Sequence, residues 1–429
     1  MGDNLVISGR TIVCIGSSWD YDPTSKHHIM KALARRNDIL WVNYHGTRRP
    51  RLSRSDLRSG FSTLRRIARG PQTVQSNFVQ MTPLVIPGAR SRLMQAVHRQ
   101  LLIQQIREAL TAIPGSGDRP IQIWSFAPDV PFLAGEFNEE CFIYYCVDDH
   151  AQFEGLDEGL ITRAENDTID RADLVITTSE SLQHAKRFRR PDCVLVRHGV
   201  DHERFSAAWR VRQPTPHDLM RIPKPIFGFF GLIQFWVDLP LIAAVAKLRP
   251  NYSFALIGEC QRDAAPLAGL PNVHLLGRKP NAELPAYCAA FTAGLMPFVQ
   301  SPLARSINPI KMYEYLAAGL PVISTPLPEA ARYSGPITMT ENAAEFAAAC
   351  DRALESDHPA RRAAISQLVV AESWESKVEL LSELVMMRVR GVTKQASMPV
   401  SHVVPRFRDV ATIAGSPPLN AVAELSTVD

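Results

Sequence analysis

The sequence predicts an α/β protein made of two Rossmann-like, doubly wound parallel-sheet domains facing a central cleft. Three observations carry this. Short apolar, β-rich segments alternate with amphipathic helical ones along most of the chain, the pattern of βαβ units and a parallel sheet. The alternation breaks over 206–223, "SAAWRVRQPTPHDLMRIP", where periodicity is lost and proline appears. A chain of 429 residues, 46% hydrophobic and 21% charged, suits two or three domains that each bury a core.

In order, "TIVCIGSS" (11–18) is an apolar run ending in small residues, hence a buried strand and a loop. "HHIMKALARR" (27–36) reads as a helix, with His27 and His28 as helix-start residues, and "DILWVNY" (38–44) as the next strand. Apolar residues at 93, 94, 97, 101, 106 and 110 make 91–110 an amphipathic helix. "IQIWSF" (121–126), "CFIYYCV" (141–147), "ADLVITTS" (172–179) and "CVLVRHGV" (193–200) are strands, and His198 and His202 fall at the hinge. This bounds a first domain at 1–205, a linker at 206–223 and a second domain at 224–390. The second domain reads as strands at 225–231, 253–258, 273–277, 293–298 and 321–325, with helices at 240–250, 282–291 and 308–319. A long helix from about Ser373 to Val389 is a candidate to pack back on the first domain. Residues 391–429, with Pro399, Pro405, Pro417 and Pro418, read as a flexible tail.

Several function classes are disfavoured. Neither half carries G-x-G-x-x-G or G-x-x-x-x-G-K-[ST], which argues against dinucleotide oxidoreduction and P-loop hydrolysis. The seven cysteines are scattered without a C-x-x-C pair, so neither a zinc site nor a disulfide framework is implied. No apolar run of about 18 residues and no signal-peptide h-region occur, pointing to a cytoplasmic protein. Net charge is +4, yet Thr47–Gly70 alone carries eight arginines and one acid, so the remainder is slightly acidic. That block is either a solvated loop or a patch for an anionic surface, such as the inner face of a membrane. Its single aromatic, Phe61, gives nucleic-acid binding little support.

The stretch "NPIKMYEYLAAGLPVIST" (308–325) focuses the functional question. Asn308 suits the N-cap and Pro309 the first helical position, while Gly319 suits C′. The helix would open at the ligand end of its sheet, where free N–H groups and the dipole favour an anion. Lys311 adds a positive charge for a phosphate, and Glu314 on the same face suits a pair of vicinal hydroxyls. Spacing alone fits an ordinary surface Lys–Glu pair equally well.

The same stretch resembles the signature helix of the GT-B glycosyltransferases of bacteria, which use nucleotide sugars. The resemblance extends over "ADLVITTSESL…VLVRHGVDHERF" (172–205) and "NVHLLGRKPNAELPAYCAAFTAGLMPF" (272–298). "NPIKMYEYLAAG" and "YYCVDDH" are most similar to exopolysaccharide and teichuronic-acid-type transferases. The resemblance implies a glycosyltransferase whose donor is a nucleoside diphosphate sugar, UDP-linked in preference to GDP-linked, with no metal or resident cofactor. It implies that Glu314 binds the ribose and that the Gly277–Arg278–Lys279 loop lies near the base. Lys311, Asn308 and Gly231 complete the expected nucleotide-binding set, and Ser306, Arg305 and Tyr313 fall near the donor sugar and phosphates. Two positions depart from the family. Ser306 stands where many relatives place a second glutamate, and "GLIQFWVD" (231–238) lacks their Arg and Lys pair.

"YYCVDDHAQF" (144–153) ends a strand in Asp148, Asp149 and His150. An inverting transfer needs a general base for the acceptor hydroxyl, and Asp149 is the expected one, with Asp148 orienting the loop; a retaining transfer needs no such base, and the sequence leaves both outcomes open. A helix-capping Asp turn is the structural alternative. The loop "SSWDYDPTSKHH" (17–28) places Asp20 and Tyr21 beside His150 as acceptor contacts, and the D-x-D of Asp20 and Asp22 is read this way in preference to a metal site. The expected acceptor is a saccharide, lipid-linked or soluble. A non-catalytic homologue that binds a nucleotide sugar or acts as a partner subunit is the second reading.

Overall fold

The computed structural model describes residues 6–46, 64–86 and 91–391. They form two compact units. The first holds the described residues up to Gly199, with Arg305–Asn308 and the helix Trp374–Val389. The second holds Val200–Ala304 and Pro309–Ser373. The division falls at Gly199/Val200, upstream of the 206–223 stretch, and the helix His202–Arg210 occupies the start of that stretch. Asp201 caps this helix, accepting from the Arg204 N–H at 3.2 Å, a local signal that the proline-rich residues after it obscured.

The first unit is built on an eight-stranded sheet. Its strands are β1 (Thr11–Gly16), β2 (Asp38–Asn43), β3 (Gln72–Gln75), β4 (Phe78–Met81), β5 (Ile121–Ser125), β6 (Cys141–Cys146), β7 (Leu174–Thr177) and β8 (Val194–Leu195). They lie in the order β3-β4-β2-β1-β5-β6-β7-β8, all parallel except the β3–β4 pair. β8 is two residues long, far shorter than the 193–200 run suggested, because the chain leaves the ladder after Leu195. Every residue of β1, β2 and β6 is buried, as expected for central strands covered on both faces. Parallel pairing places the loops after β1 and β6, separated only by β5, along one edge of the sheet. The helix Trp374–Val389 packs on the helix Ser25–Leu33, where His28 stacks on Trp374 with ring centres 4.8 Å apart.

The second unit has a six-stranded parallel sheet: β9 (Ile226–Phe230), β10 (Ser253–Ile257), β11 (Val273–Gly277), β12 (Ala293–Met296), β13 (Val322–Ser324) and β14 (Ile337–Met339). The order is β11-β10-β9-β12-β13-β14, so the direction of winding reverses between β9 and β12. Open sheets bind ligands beyond such a switch point. The helix Ile310–Ala317 is seated there by Tyr315, whose ring fills the space that any side chain at Gly294 of β12 would need. The Phe230 N–H donates to the Tyr315 hydroxyl at 3.0 Å. The helix ends in a Schellman turn: Gly319, at φ +72°, donates to the Leu316 carbonyl, and Leu320 donates to the Tyr315 carbonyl.

Candidate donor and catalytic sites

The candidate donor site lies at the end of β9. Gly231 follows that strand at φ +132°, and a Cβ there would stand 3.0 Å from the Lys311 ammonium. The backbone turn and the lysine therefore need each other's shape. The ammonium lies 4.6 Å from the Phe229 ring centre and 5.0 Å from that of Phe298, held by two aromatic faces. Burial pushes Lys311 down to about 8, against the pull of Glu314. Glu314, one turn on, is 8% exposed. Burial raises it to about 7, although Arg204 and then Lys311 pull the other way. A half-exposed lysine beside a buried, protonatable carboxyl can offer charge to a phosphate and accept hydrogen bonds from a diol.

Arg204 was not anticipated. It stands in "VDHERF" on the helix His202–Arg210, its Nε 3.5 Å from the Asp201 carboxylate and its guanidinium 5.0 Å from the Phe205 ring centre. Its Nε and Nη2 are buried and hydrogen-bond to nothing among the described residues. It is the foremost cation acting on Glu314. No spacing rule links 204 to 314; only the packing of the two helices does.

Other expected donor residues are distributed unevenly. Asn308 does not cap the helix. Pro309 occupies the N-cap, and the Asn308 Nδ2 donates to the Thr178 carbonyl at 2.8 Å within the first unit. Ser306 is buried and its carbonyl accepts from the Ser179 hydroxyl at 2.5 Å, while Arg305 is exposed. Tyr313 is fully buried, edge-on to Tyr333 at 6.0 Å, and serves the core, because its position on the helix faces inward. Arg278 is exposed beyond β11, and its neighbour Lys279 is anchored to Asp218 at 2.8 Å. Asp218 also accepts from the Tyr287 hydroxyl at 2.9 Å, which fixes this loop.

In the first unit, Asp148, Asp149 and His150 follow β6 and are each partly exposed. Burial raises Asp148 to about 6; Lys26 opposes the rise and Asp149 adds to it. Burial raises Asp149 as well, with Lys186 opposing. His150 is pushed down to about 4 by burial and is neutral near pH 7. Asp149 heads the short turn His150–Gln152, and the Ala151 N–H of that turn acts on its carboxylate, so the capping alternative stands beside the catalytic one. Beneath it, Glu165 accepts from Lys186 and from the Tyr144 hydroxyl, both at 2.7 Å. Along the same sheet edge, the Trp19 N–H donates to Asn43, and Arg66 binds the Ser18 hydroxyl at 2.8 Å and lies 3.7 Å from Asp20. Asp20 is exposed, and Tyr21 is 52% exposed with its ring 6.4 Å from that of His45. Among the described residues no cluster of three or more His, Cys, Asp or Glu side chains could hold a metal ion.

Two parallel-sheet Rossmann-like units give the chain a GT-B fold. Residues 224–356 match the family described as Glycosyl transferases group 1, and the chain is a glycosyltransferase. It is similar to TuaH of Bacillus subtilis (strain 168), assigned as a glycosyltransferase of teichuronic acid biosynthesis: 28% identical over 272 residues, 59% of this chain and 68% of that one. The fold is similar to that of the alpha,alpha-trehalose 6-phosphate synthase from Burkholderia multivorans, with TM-score 0.60 and 13% identity over 90% of this chain and 99% of that one. It is also similar to that of Anabaena HepE in complex with UDP and glucose, with TM-score 0.57 and 15% identity over 89% and 97% of the two chains.

Proposed function

We propose that this glycosyltransferase moves a sugar from a UDP-linked donor to a saccharide acceptor. The observation that carries the proposal is the Lys311 ammonium under Gly231 with Glu314 one turn behind it. The lysine would face the diphosphate and the glutamate the ribose hydroxyls, with Gly277 and Arg278 near the base. Arg204 answers the absence of an Arg and Lys pair in 231–238 by supplying a second cation near Glu314. The fold-level likeness to HepE, which was solved with UDP and glucose, supports a UDP sugar. The second unit holds the donor, and the Asp148–Asp149 pair of the first supplies the general base. Neutral His150, Asp20 and Tyr21 serve the acceptor. The test is a thermal-shift screen with UDP, GDP, ADP and CMP sugars. A ligand at 100 times its Kd stabilises by about 2.7 kcal/mol. A UDP sugar should raise Tm most, and no response to any nucleotide would reject the reading.

The acceptor in this proposal is lipid-linked, at the cytoplasmic face of a membrane in cell-surface polysaccharide synthesis. Leu93, Met94 and Val97 are exposed on the first turns of the helix Arg92–Leu110, and Arg65 and Arg69 are exposed nearby in sequence. Arg48, Arg49, Arg51, Arg54 and Arg58 lie outside the described residues. Among the described residues no helix is long and apolar enough to cross a membrane. Each basic residue near an anionic surface contributes about 1 kcal/mol. Co-sedimentation with anionic vesicles should therefore be strong at low salt and lost at high salt. Binding that ignores lipid charge would favour a soluble acceptor.

The second reading, a non-catalytic homologue that binds a nucleotide sugar or acts as a partner subunit, draws on Ser306 in place of a glutamate and on the missing Arg and Lys pair in 231–238. Donor turnover by the purified protein excludes it.

A further inference from the structure

We infer that Asp218, on the turn before β9, is a positioning residue for the nucleotide base: by holding Lys279 and Tyr287 it fixes the loop after β11 and sets the donor site's preference for uracil over guanine. The inference rests on the donor reading proposed above for the place of the base, and on the contacts of Asp218 for the positioning.

Asp218 sits in the single turn His217–Leu219, which closes when the Leu219 N–H donates to the Pro216 carbonyl at 2.9 Å. Leu219 and Ile222 are buried, so apolar side chains anchor the turn. The two carboxylate oxygens of Asp218 accept from the Tyr287 hydroxyl at 2.9 and 3.1 Å. Its Oδ2 also pairs with the Lys279 ammonium at 2.8 Å. Tyr287 is 2% exposed on the helix Leu284–Ala290, so its hydroxyl is a fixed post. Burial pushes the Asp218 carboxyl up, but the hydrogen bonds from Lys279 and then Tyr287 outweigh it and hold the group below the usual carboxylate range. The pair is therefore ionised throughout the neutral range.

The loop held in this way is short. It leaves β11 at Gly277, whose φ of +66° favours glycine and whose carbonyl accepts from the Gly258 N–H at 2.9 Å. It enters the turn Asn281–Glu283 at Pro280, whose carbonyl accepts from the Glu283 N–H at 2.9 Å. Between these two fixed ends stand Arg278 and Lys279, and Asp218 takes the second of them. The neighbouring strands β9 and β10 also run into glycine, at Gly231 and Gly258, and a Cβ at Gly258 would collide with the Gly231 carbonyl oxygen. Three adjacent strands thus present bare backbone from the Lys311 ammonium out to the loop, a span of about 10 Å at roughly 4.8 Å per strand. That leaves room for a ribose between a diphosphate at Lys311 and a base at the loop.

The pairing bears on which base the loop suits. Uracil presents an N–H between two carbonyl oxygens, an edge that the main-chain N–H and C=O groups of a fixed loop can match. Guanine presents O6 and N7, the two acceptors that a lysine or arginine reads well. A Lys279 without its carboxylate would supply a cation for guanine. Paired with Asp218, its charge is compensated and its position is set. Asp218 therefore acts twice: it holds the loop in the shape that reads uracil, and it withdraws a cation that would favour guanine.

The test is titration of UDP, GDP and uridine into the full chain and its variants, with hydrogen exchange of the ligand-free chain beside it. Asp218→Ala should weaken UDP and uridine by the same factor, about tenfold, as for a lost charge-assisted anchor. GDP, which gains the freed cation, should lose less, so the UDP-over-GDP ratio falls. A merely structural role would lower Tm and leave that ratio alone. Combining Asp218→Ala with Lys279→Met should restore the ratio while uridine stays weak, because the loop is still loose but the cation is gone. Amide exchange over 277–281 should speed up in Asp218→Ala and in Lys279→Met alike. Exchange unchanged in both variants overturns the anchoring. Faster exchange with an unchanged UDP-over-GDP ratio overturns the role in base choice. A loss confined to UDP, with uridine unaffected, puts the effect at the phosphates and overturns it as well. Wild type that binds no nucleotide overturns the donor reading, and the base preference with it, whatever the exchange rates show of the anchor.

Discussion

Replacing Glu314 by glutamine should stabilise the fold and weaken nucleotide binding in the same protein. Burial lifts the Glu314 carboxyl from 4.5 to about 7 despite two neighbouring cations. At about 1.4 kcal/mol per pH unit, ionising this group in the folded chain costs roughly 3 kcal/mol more than in the unfolded one. The sign follows from the raised value. The associated stability is fully present below pH 4.5 and is lost as the pH climbs through about 7. Glutamine keeps the shape and cannot ionise, so its stability should not fall over that window. At pH 8 the variant should gain up to roughly 3 kcal/mol, a Tm rise on the order of 5–10 °C. At pH 4.5 the two proteins should melt together. Isothermal titration with UDP should meanwhile show a loss of about 1.5–3 kcal/mol, the worth of hydrogen bonds to a charged group. A Tm difference that is independent of pH would refute the burial argument, and unchanged UDP affinity would refute the ribose assignment.

Two further outcomes follow from the geometry. Gly231→Ala should weaken UDP binding by about tenfold or more and cost about 1–3 kcal/mol of stability, because its Cβ meets the lysine ammonium and the backbone φ is unsuited to a side chain; denaturation with UDP titration checks both, and a stability loss without an affinity loss would move the phosphates away from Lys311. Asp149→Asn should cut donor turnover about 100-fold with donor KM nearly unchanged, and Asp148→Asn should cost less; steady-state kinetics on both variants decides, and wild-type rates in both would remove the base from this loop.

The alternation of strands and helices was legible because buried parallel strands write continuous apolar runs, as "TIVCIG" and "CFIYYC" do. The short edge strands β3 and β14 were not, since four exposed residues or three mixed ones leave no periodic signal. The proline-rich stretch after Arg210 marks a linker by composition, while the contacts divide at Gly199/Val200, which composition cannot show. Within the site, Lys311 and Glu314 were legible as neighbours on one helix face. Arg204 and Lys26 were not. Each acts on a carboxylate more than 100 residues away, and only tertiary packing, helix on helix for Arg204, brings these partners into electrostatic reach. Asn308 misled for a related reason: its side chain is committed to the Thr178 carbonyl, so a good capping residue does not cap.

The central claim is that Lys311 holds a diphosphate. Titrating UDP and uridine into wild type and Lys311→Met tests it directly. The variant should lose most of its affinity for UDP and little of its affinity for uridine, because the lysine acts as a point charge on the anion. Equal losses for both ligands, or none for either, would contradict it and return the lysine to a structural role.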